Sequence, residues 1–202
     1  MKLGIVLVGI AYSCVGKMRD WRLSSDNIQA TFNESHPKID VIDYAICTYR
    51  IASLRMRMLK ETYAASLCKF IDYSGSTQRN TYVESIELAK NMDCDFYIFT
   101  RFDVAFKKRF KDFNINFKKI NILFKEKNTW DDYNFVCDNF FGIPADKLDV
   151  FKRAIIEMDN HWLKKRFMHH ILSTLSVELN DIHFCSNKHM SSKDNRFYKI
   201  IK

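Results

Sequence analysis

The sequence predicts an α/β fold in which one domain is built on a largely parallel central sheet. Short apolar runs stand at residues 3–11, 41–46 and 96–99, and the segments between them place apolar residues at helical spacing. The runs stop at glycines or charged residues, as strands buried on both faces do.

Residues 3–11 open the chain as a parallel-type strand ending in Gly9, Ile10 and Ala11. The run is too short to span a bilayer and has no small-residue cleavage site after it. Residues 12–23 read as a loop holding Gly16, Lys17, Arg19 and Arg22. Ser24, Ser25 and Asp26 suit the N-cap of a helix reaching about Glu34. A second strand covers 40–48, and 49–60 is a basic segment with helix content. A short third strand at 66–73 leads into a turn at Ser74, Gly75 and Ser76. Ser76 or Thr77 then caps a helix in which Tyr82, Ile86, Leu88 and Ala89 recur at helical spacing.

That helix delivers the chain to its most informative stretch, DFYIFTRFDVAF at 95–106. Phe96, Tyr97, Ile98 and Phe99 form a strand whose C-terminal end carries Arg101 and Asp103. In open α/β sheets ligands bind in the crevice outside such ends. Two roles suit this pair: a salt bridge local to the strand end, or contact with a ligand.

Residues 104–113 turn outward, 120–124 read as a strand, and 128–134 as a polar loop with Trp130, Asp131 and Asp132. Residues 135–141 form a strand interrupted by Asp138 and Asn139 and closed by Gly142 and Pro144, before an amphipathic helix at 145–158. A helix with a buried stripe spans 161–179; His169 and His170 lie on it, one facing the core. A short strand at 182–185 precedes a basic tail with Lys188, His189, Lys193 and Arg196.

The 202 residues suit one domain with a substantial core, divided here into a β/α half at 1–105 and a mixed half at 106–202. Six cysteines without a C-x-x-C pair favour reduced, buried thiols and a cytoplasmic protein over a disulfide framework or zinc site. The net charge of +8 implies an anionic partner without naming it. Nucleic acid is disfavoured by the lack of a recognisable binding motif.

A lone carboxylate such as Asp138 inside an apolar segment is costly unless it is paired or faces a cleft. It suits a general base, and equally a cap for the turn that follows. Arg79, just inside a helix N-terminus, could meet a phosphate with help from the helix dipole, or be an exposed arginine. A literal Asp-x-Asp at Asp93 and Asp95 precedes its strand and so belongs at the sheet edge opposite the ligand crevice.

The strand ending in Gly9, the strand ending in Arg101, Phe102 and Asp103, and the later run from Asp138 to Gly142 resemble small nucleotide-sugar glycosyltransferases of the GT-A fold, including compact ones encoded by large algal viruses. The resemblance implies a donor nucleotide held over Gly9, Ile10 and Ala11. It implies a divalent cation, Mn²⁺ or Mg²⁺, on Asp103, the only acid here that matches the family's Asp-x-Asp signature. Arg101 stands in place of the first acid, and a guanidinium can meet phosphate oxygens bidentately.

The resemblance further implies an acid near Asp138 acting on the acceptor, with Asp131 or Asp132 as substitutes, and a C-terminal segment, around Lys188 and His189, closing over the diphosphate. The expected activity is metal-assisted transfer of a sugar, from a UDP-sugar, to a carbohydrate hydroxyl that a glycoprotein could carry, in the cytoplasm or a host's cytoplasm. The alternatives are a non-catalytic nucleotide-sugar or carbohydrate binding module on the same fold and a basic nucleic-acid-binding domain.

Overall fold

The computed structural model describes all residues except 14–18, 35, 73–77, 128, 159–170, 176–178, 192 and 202. Cys14, Gly16, Lys17, the turn and cap at 74–77, and the helix segment with His169 and His170 therefore lie outside the described residues.

The chain begins with β1 (Lys2–Gly9), a small hairpin of β2 (Tyr12–Ser13) and β3 (Arg19–Asp20), and α1 (Ser25–Asn33). Next come β4 (Val41–Tyr49), α2 (Ser53–Tyr63), β5 (Leu67–Ile71), α3 (Gln78–Lys90), β6 (Phe96–Arg101) and β7 (Val104–Phe106). The remainder supplies β8 (Ile120–Ile122), α4 (Trp130–Tyr133), β9 (Phe140–Pro144), α5 (Leu148–Glu157), α6 (Ile171–Thr174), β10 (Ile182–Phe184) and β11 (Tyr198–Ile200).

Seven strands form the central sheet in the order β10-β8-β9-β6-β1-β4-β5. Only β9 runs against its neighbours, and every other pairing is parallel. Alternation along the strands explains how both faces are covered. Leu3, Ile5 and Leu7 of β1, with Phe96 and Ile98 of β6, pack with Ile28 and Phe32 of α1 and with Leu59 and Tyr63 of α2. Val6 and Val8, with Tyr97 and Phe99, join Tyr82, Ile86 and Ala89 of α3 and Phe151 and Ile155 of α5 on the other face.

Four details differ from the sequence reading. Residues 104–106 do not turn outward: they form β7, fully buried and paired antiparallel with β11. The basic tail is part solvated and part anchored: Lys188, His189, Lys193 and Arg196 are exposed, whereas Phe197 and Tyr198 are buried and stack beside Phe124. Gly142 lies inside β9 and Pro144 closes it, but the strand starts only at Phe140, which leaves Asp138 and Asn139 in the turn just ahead of it. Residues 130–133 are helical, ending at Asn134 in the left-handed conformation.

Gly142 has a packing reason to be glycine: a Cβ there would come within 2.9 Å of Phe96 Cζ and 3.1 Å of the Asn121 Cβ. Among the described residues, no helix is long and apolar enough to cross a membrane.

Candidate active site

The parallel registers set Gly9 beside Thr48 and Val8 beside Arg101, so the ends of β1, β4 and β6 share one edge. β9 runs the other way, and its start brings Asp138 to that same edge. A cleft of about 230 Å³ opens there. Gly9, Ile10, Arg19, Tyr82, Arg101 and Asp138 are among its walls, together with Tyr49, Gln78 and Thr81. Four of the sequence-derived residues, Gly9, Ile10, Arg101 and Asp138, are thereby brought together.

Gly9 takes φ +102°, a left-handed conformation costly for any residue with a Cβ. Nothing lies within 4 Å of where its Cβ would be, so the bare backbone borders open cleft. The turn that follows is fastened by Thr48, whose Oγ1 donates to the Gly9 carbonyl at 2.6 Å and accepts from the Ala11 amide at 3.1 Å.

Arg101 closes β6 with its side chain folded onto Asp103. Its Nε and Nη2 donate to the two carboxylate oxygens at 2.8 and 2.7 Å, the bidentate geometry of a strong charge-assisted pair. Arg19, from the β2–β3 hairpin, adds Nη1 to Oδ2 of the same carboxylate at 2.5 Å. On its other side Arg101 Nη1 lies 3.8 Å from Asp138 Oδ2. Burial works against the charge on Arg101, but the hydrogen bonds and charge of Asp103, then the charge of Asp138, more than offset it and raise its pKa above the ordinary value.

Tyr82 donates its hydroxyl to the Asp138 carbonyl at 3.3 Å. Burial first, then the charge of Asp138, push its phenol above the usual range, so it remains a neutral donor. Beneath Asp138, Asn139 donates to the Tyr198 hydroxyl at 2.7 Å, which anchors the turn to β11.

The residues do not suit a divalent ion at Asp103. That carboxylate is only 7% exposed, already accepts three guanidinium hydrogen bonds, and faces a gap of about 10 Å³ shared with Ile10, Ala11, Arg19 and Ile201. A gap of that size holds about one water, whereas Mg²⁺ keeps several. At an effective dielectric of about 20, a dication gains about 16 kcal/mol from one carboxylate in contact and loses about 8 kcal/mol to each guanidinium near 4 Å. The two arginines thus cancel the attraction of the single acid. Among the described residues no group of three His, Cys, Asp or Glu side chains gathers to hold a metal.

The other expected residues fall elsewhere. Ala11 lies behind the cleft, beside Asp103. Arg79 sits in the first turn of α3 next to Gln78, which does line the cleft. Lys188 and His189 lie past β10, in an open basin with Lys127 and Arg196, and His189 packs against Trp130. Asp131 is exposed on α4. Asp95 is at the opposite edge, as expected, where it accepts the Lys2 amide at 2.7 Å.

Arg19 was not singled out as a site residue by sequence. Only its place between a strand-end glycine and a helix could have marked it.

Solved structures share this architecture, two of them being of LgtC. One is a crystal structure of an active-site mutant of LgtC, with a TM-score of 0.58 and 13% identity over 91% of this chain and 72% of that one. The other is galactosyltransferase LgtC in complex with donor and acceptor sugar analogs, with a TM-score of 0.55 and 13% identity over 91% and 73%. The fold is therefore the GT-A glycosyltransferase fold. No protein-family model and no curated protein matches the chain.

Proposed function

We propose that the protein is a glycosyltransferase that moves a sugar from a nucleotide-diphosphate donor, a UDP-sugar first among the choices, to a hydroxyl of a carbohydrate acceptor. The observation that carries this reading is the convergence of a strand-end glycine, a half-buried arginine and a carboxylate on one cleft at the carboxyl edge of the sheet. The fold is one that carries this chemistry in other proteins, and the site's own residues support it here.

The nucleotide lies over Gly9, whose bare backbone borders the cleft, and beside Ile10. As the acceptor oxygen bonds to the anomeric carbon, the bond from that carbon to the diphosphate oxygen breaks. The electron pair leaves on the diphosphate, and the acceptor proton passes to an Asp138 carboxylate oxygen. The positive charge of Arg101 faces the charge that develops on the leaving group. Tyr82 holds the Asp138 backbone in place while this happens.

A binding module is the second reading, favoured by the 3.8 Å approach of Arg101 to Asp138, since a carboxylate oxygen turned toward a guanidinium is not turned toward an acceptor hydroxyl. Release of nucleoside diphosphate from a panel of nucleotide sugars, with and without a mixture of glycans, separates the two. Acceptor-stimulated release supports transfer. Tight nucleotide-sugar binding without release selects the module, and neither binding nor release removes both.

A further inference from the structure

The geometry points to a donor site that works without a divalent cation: Arg19 and Arg101 together supply the positive charge that a nucleoside diphosphate requires, and Asp103 serves as the counter-ion that positions both. This rests on the transferase reading, and it specifies how that site meets the diphosphate.

Three observations support it. Both arginines line the cleft, whereas Asp103 does not, so a ligand entering the cleft meets two guanidinium groups against the single carboxylate of Asp138, with Asp103 behind them. Both grip the same carboxylate, which fixes two long side chains that would otherwise lose rotamer freedom on binding. Arg19 is 26% and Arg101 22% exposed, so each is desolvated by the protein yet open on one side. Guanidinium groups match phosphate oxygens in fork geometry, and an arginine pair held in advance acts as a fixed cation.

Asp103 is thus a positioning residue. Its removal should weaken diphosphate binding even where no metal is present, an effect that a metal ligand's loss would not produce under chelation.

The test is calorimetric titration of UDP, followed by GDP, ADP, CDP and TDP, in EDTA and in millimolar Mn²⁺ or Mg²⁺. The nucleotide that binds should do so with the same Kd, within about twofold, in all three conditions. Arg19→Gln and Arg101→Gln should each weaken it by roughly 10-fold or more, the loss of one charge-assisted hydrogen bond. Asp103→Asn should weaken it in EDTA as well.

Arg101→Asp, which places an acid two residues before Asp103, should abolish binding in EDTA and regain part of it with Mn²⁺. Circular dichroism verifies folding of each variant. Arg19→Gln, on a short surface hairpin, keeps the test alive if a change at buried Asp103 unfolds the chain. Wild-type binding that is metal-dependent, or tightened more than about 10-fold by metal, overturns this inference and leaves the transferase reading standing. Absence of binding by every nucleoside diphosphate in every condition overturns both.

Discussion

Thr48 holds Gly9 in place by a hydrogen bond from its hydroxyl to the Gly9 carbonyl, 2.6 Å long, across the junction of two parallel strands. The same hydroxyl receives the Ala11 amide, so one buried side chain fixes a turn whose backbone borders the cleft. Thr48→Val keeps the shape and strips both bonds. It should cost about 1–3 kcal/mol in urea unfolding and weaken nucleotide binding. Gly9→Ala meets no clash but must hold φ +102°, a strain of about 1–2 kcal/mol. A stability unchanged in both variants would show that the turn has no mechanical role.

Asp138→Asn tests the proton acceptor. With the amide in the same place, transfer should fall by about 10² to 10⁴ while donor affinity stays within a few-fold. Equal losses in affinity and turnover would assign Asp138 to donor binding instead.

Gly142→Ala separates packing from chemistry. Its Cβ would meet Phe96 Cζ at 2.9 Å and Asn121 at 3.1 Å, both within the sheet core. The expected cost is about 1–3 kcal/mol of stability from overpacking, read as a lowered Tm, with nucleotide affinity of the folded protein unaltered.

Tyr198→Phe removes the hydroxyl that accepts from Asn139 Nδ2 and leaves that amide buried beneath Asp138. A loss of about 1–3 kcal/mol is expected, since an unsatisfied buried donor forfeits its hydration. Chemical denaturation gives the number, and a neutral result would mean that water replaces the phenol.

Burial pushes the Cys47 thiol up to about 12 and the Cys185 thiol likewise. The unfolded chain ionises these groups from about pH 9 upward while the folded one keeps them neutral. Their contribution is therefore fully present below pH 9 and is lost as the pH climbs toward 12. Urea midpoints across that window should fall, and Cys47→Ala should flatten part of the slope. A midpoint that stays level would place these thiols in contact with solvent.

The strands were legible because apolar residues cluster in them: β1 and β6 are apolar runs that end at Gly9 and Arg101, and β4 and β5 carry charge only at Asp43 and Lys69 and are followed by Arg50 and Asp72. The site was legible for the same reason, since Gly9 and Arg101 are strand ends and strand ends share an edge. What escaped were features set by distant partners. β7 and β11 are three residues each and exist only because each pairs with the other across 91 positions or more, which no local pattern announces.

Arg19 escaped likewise, for its importance comes from a carboxylate 84 residues away. For Asp103, one partner was legible: the salt bridge with Arg101 at the strand end is one of the two roles the sequence offers, and it is present. The second guanidinium, from Arg19, is visible only in the packing.

The amide of Ile201 donates to the carbonyl of Asp103 at 2.8 Å. Ribosomal synthesis delivers Arg19, Arg101 and Asp103 long before β11, so a nascent chain carries the whole arginine clamp without the strand that braces it. The bracing of the clamp is then a late event in the life of each molecule, complete only when β11 has paired with β7 and Ile201 has reached the Asp103 carbonyl.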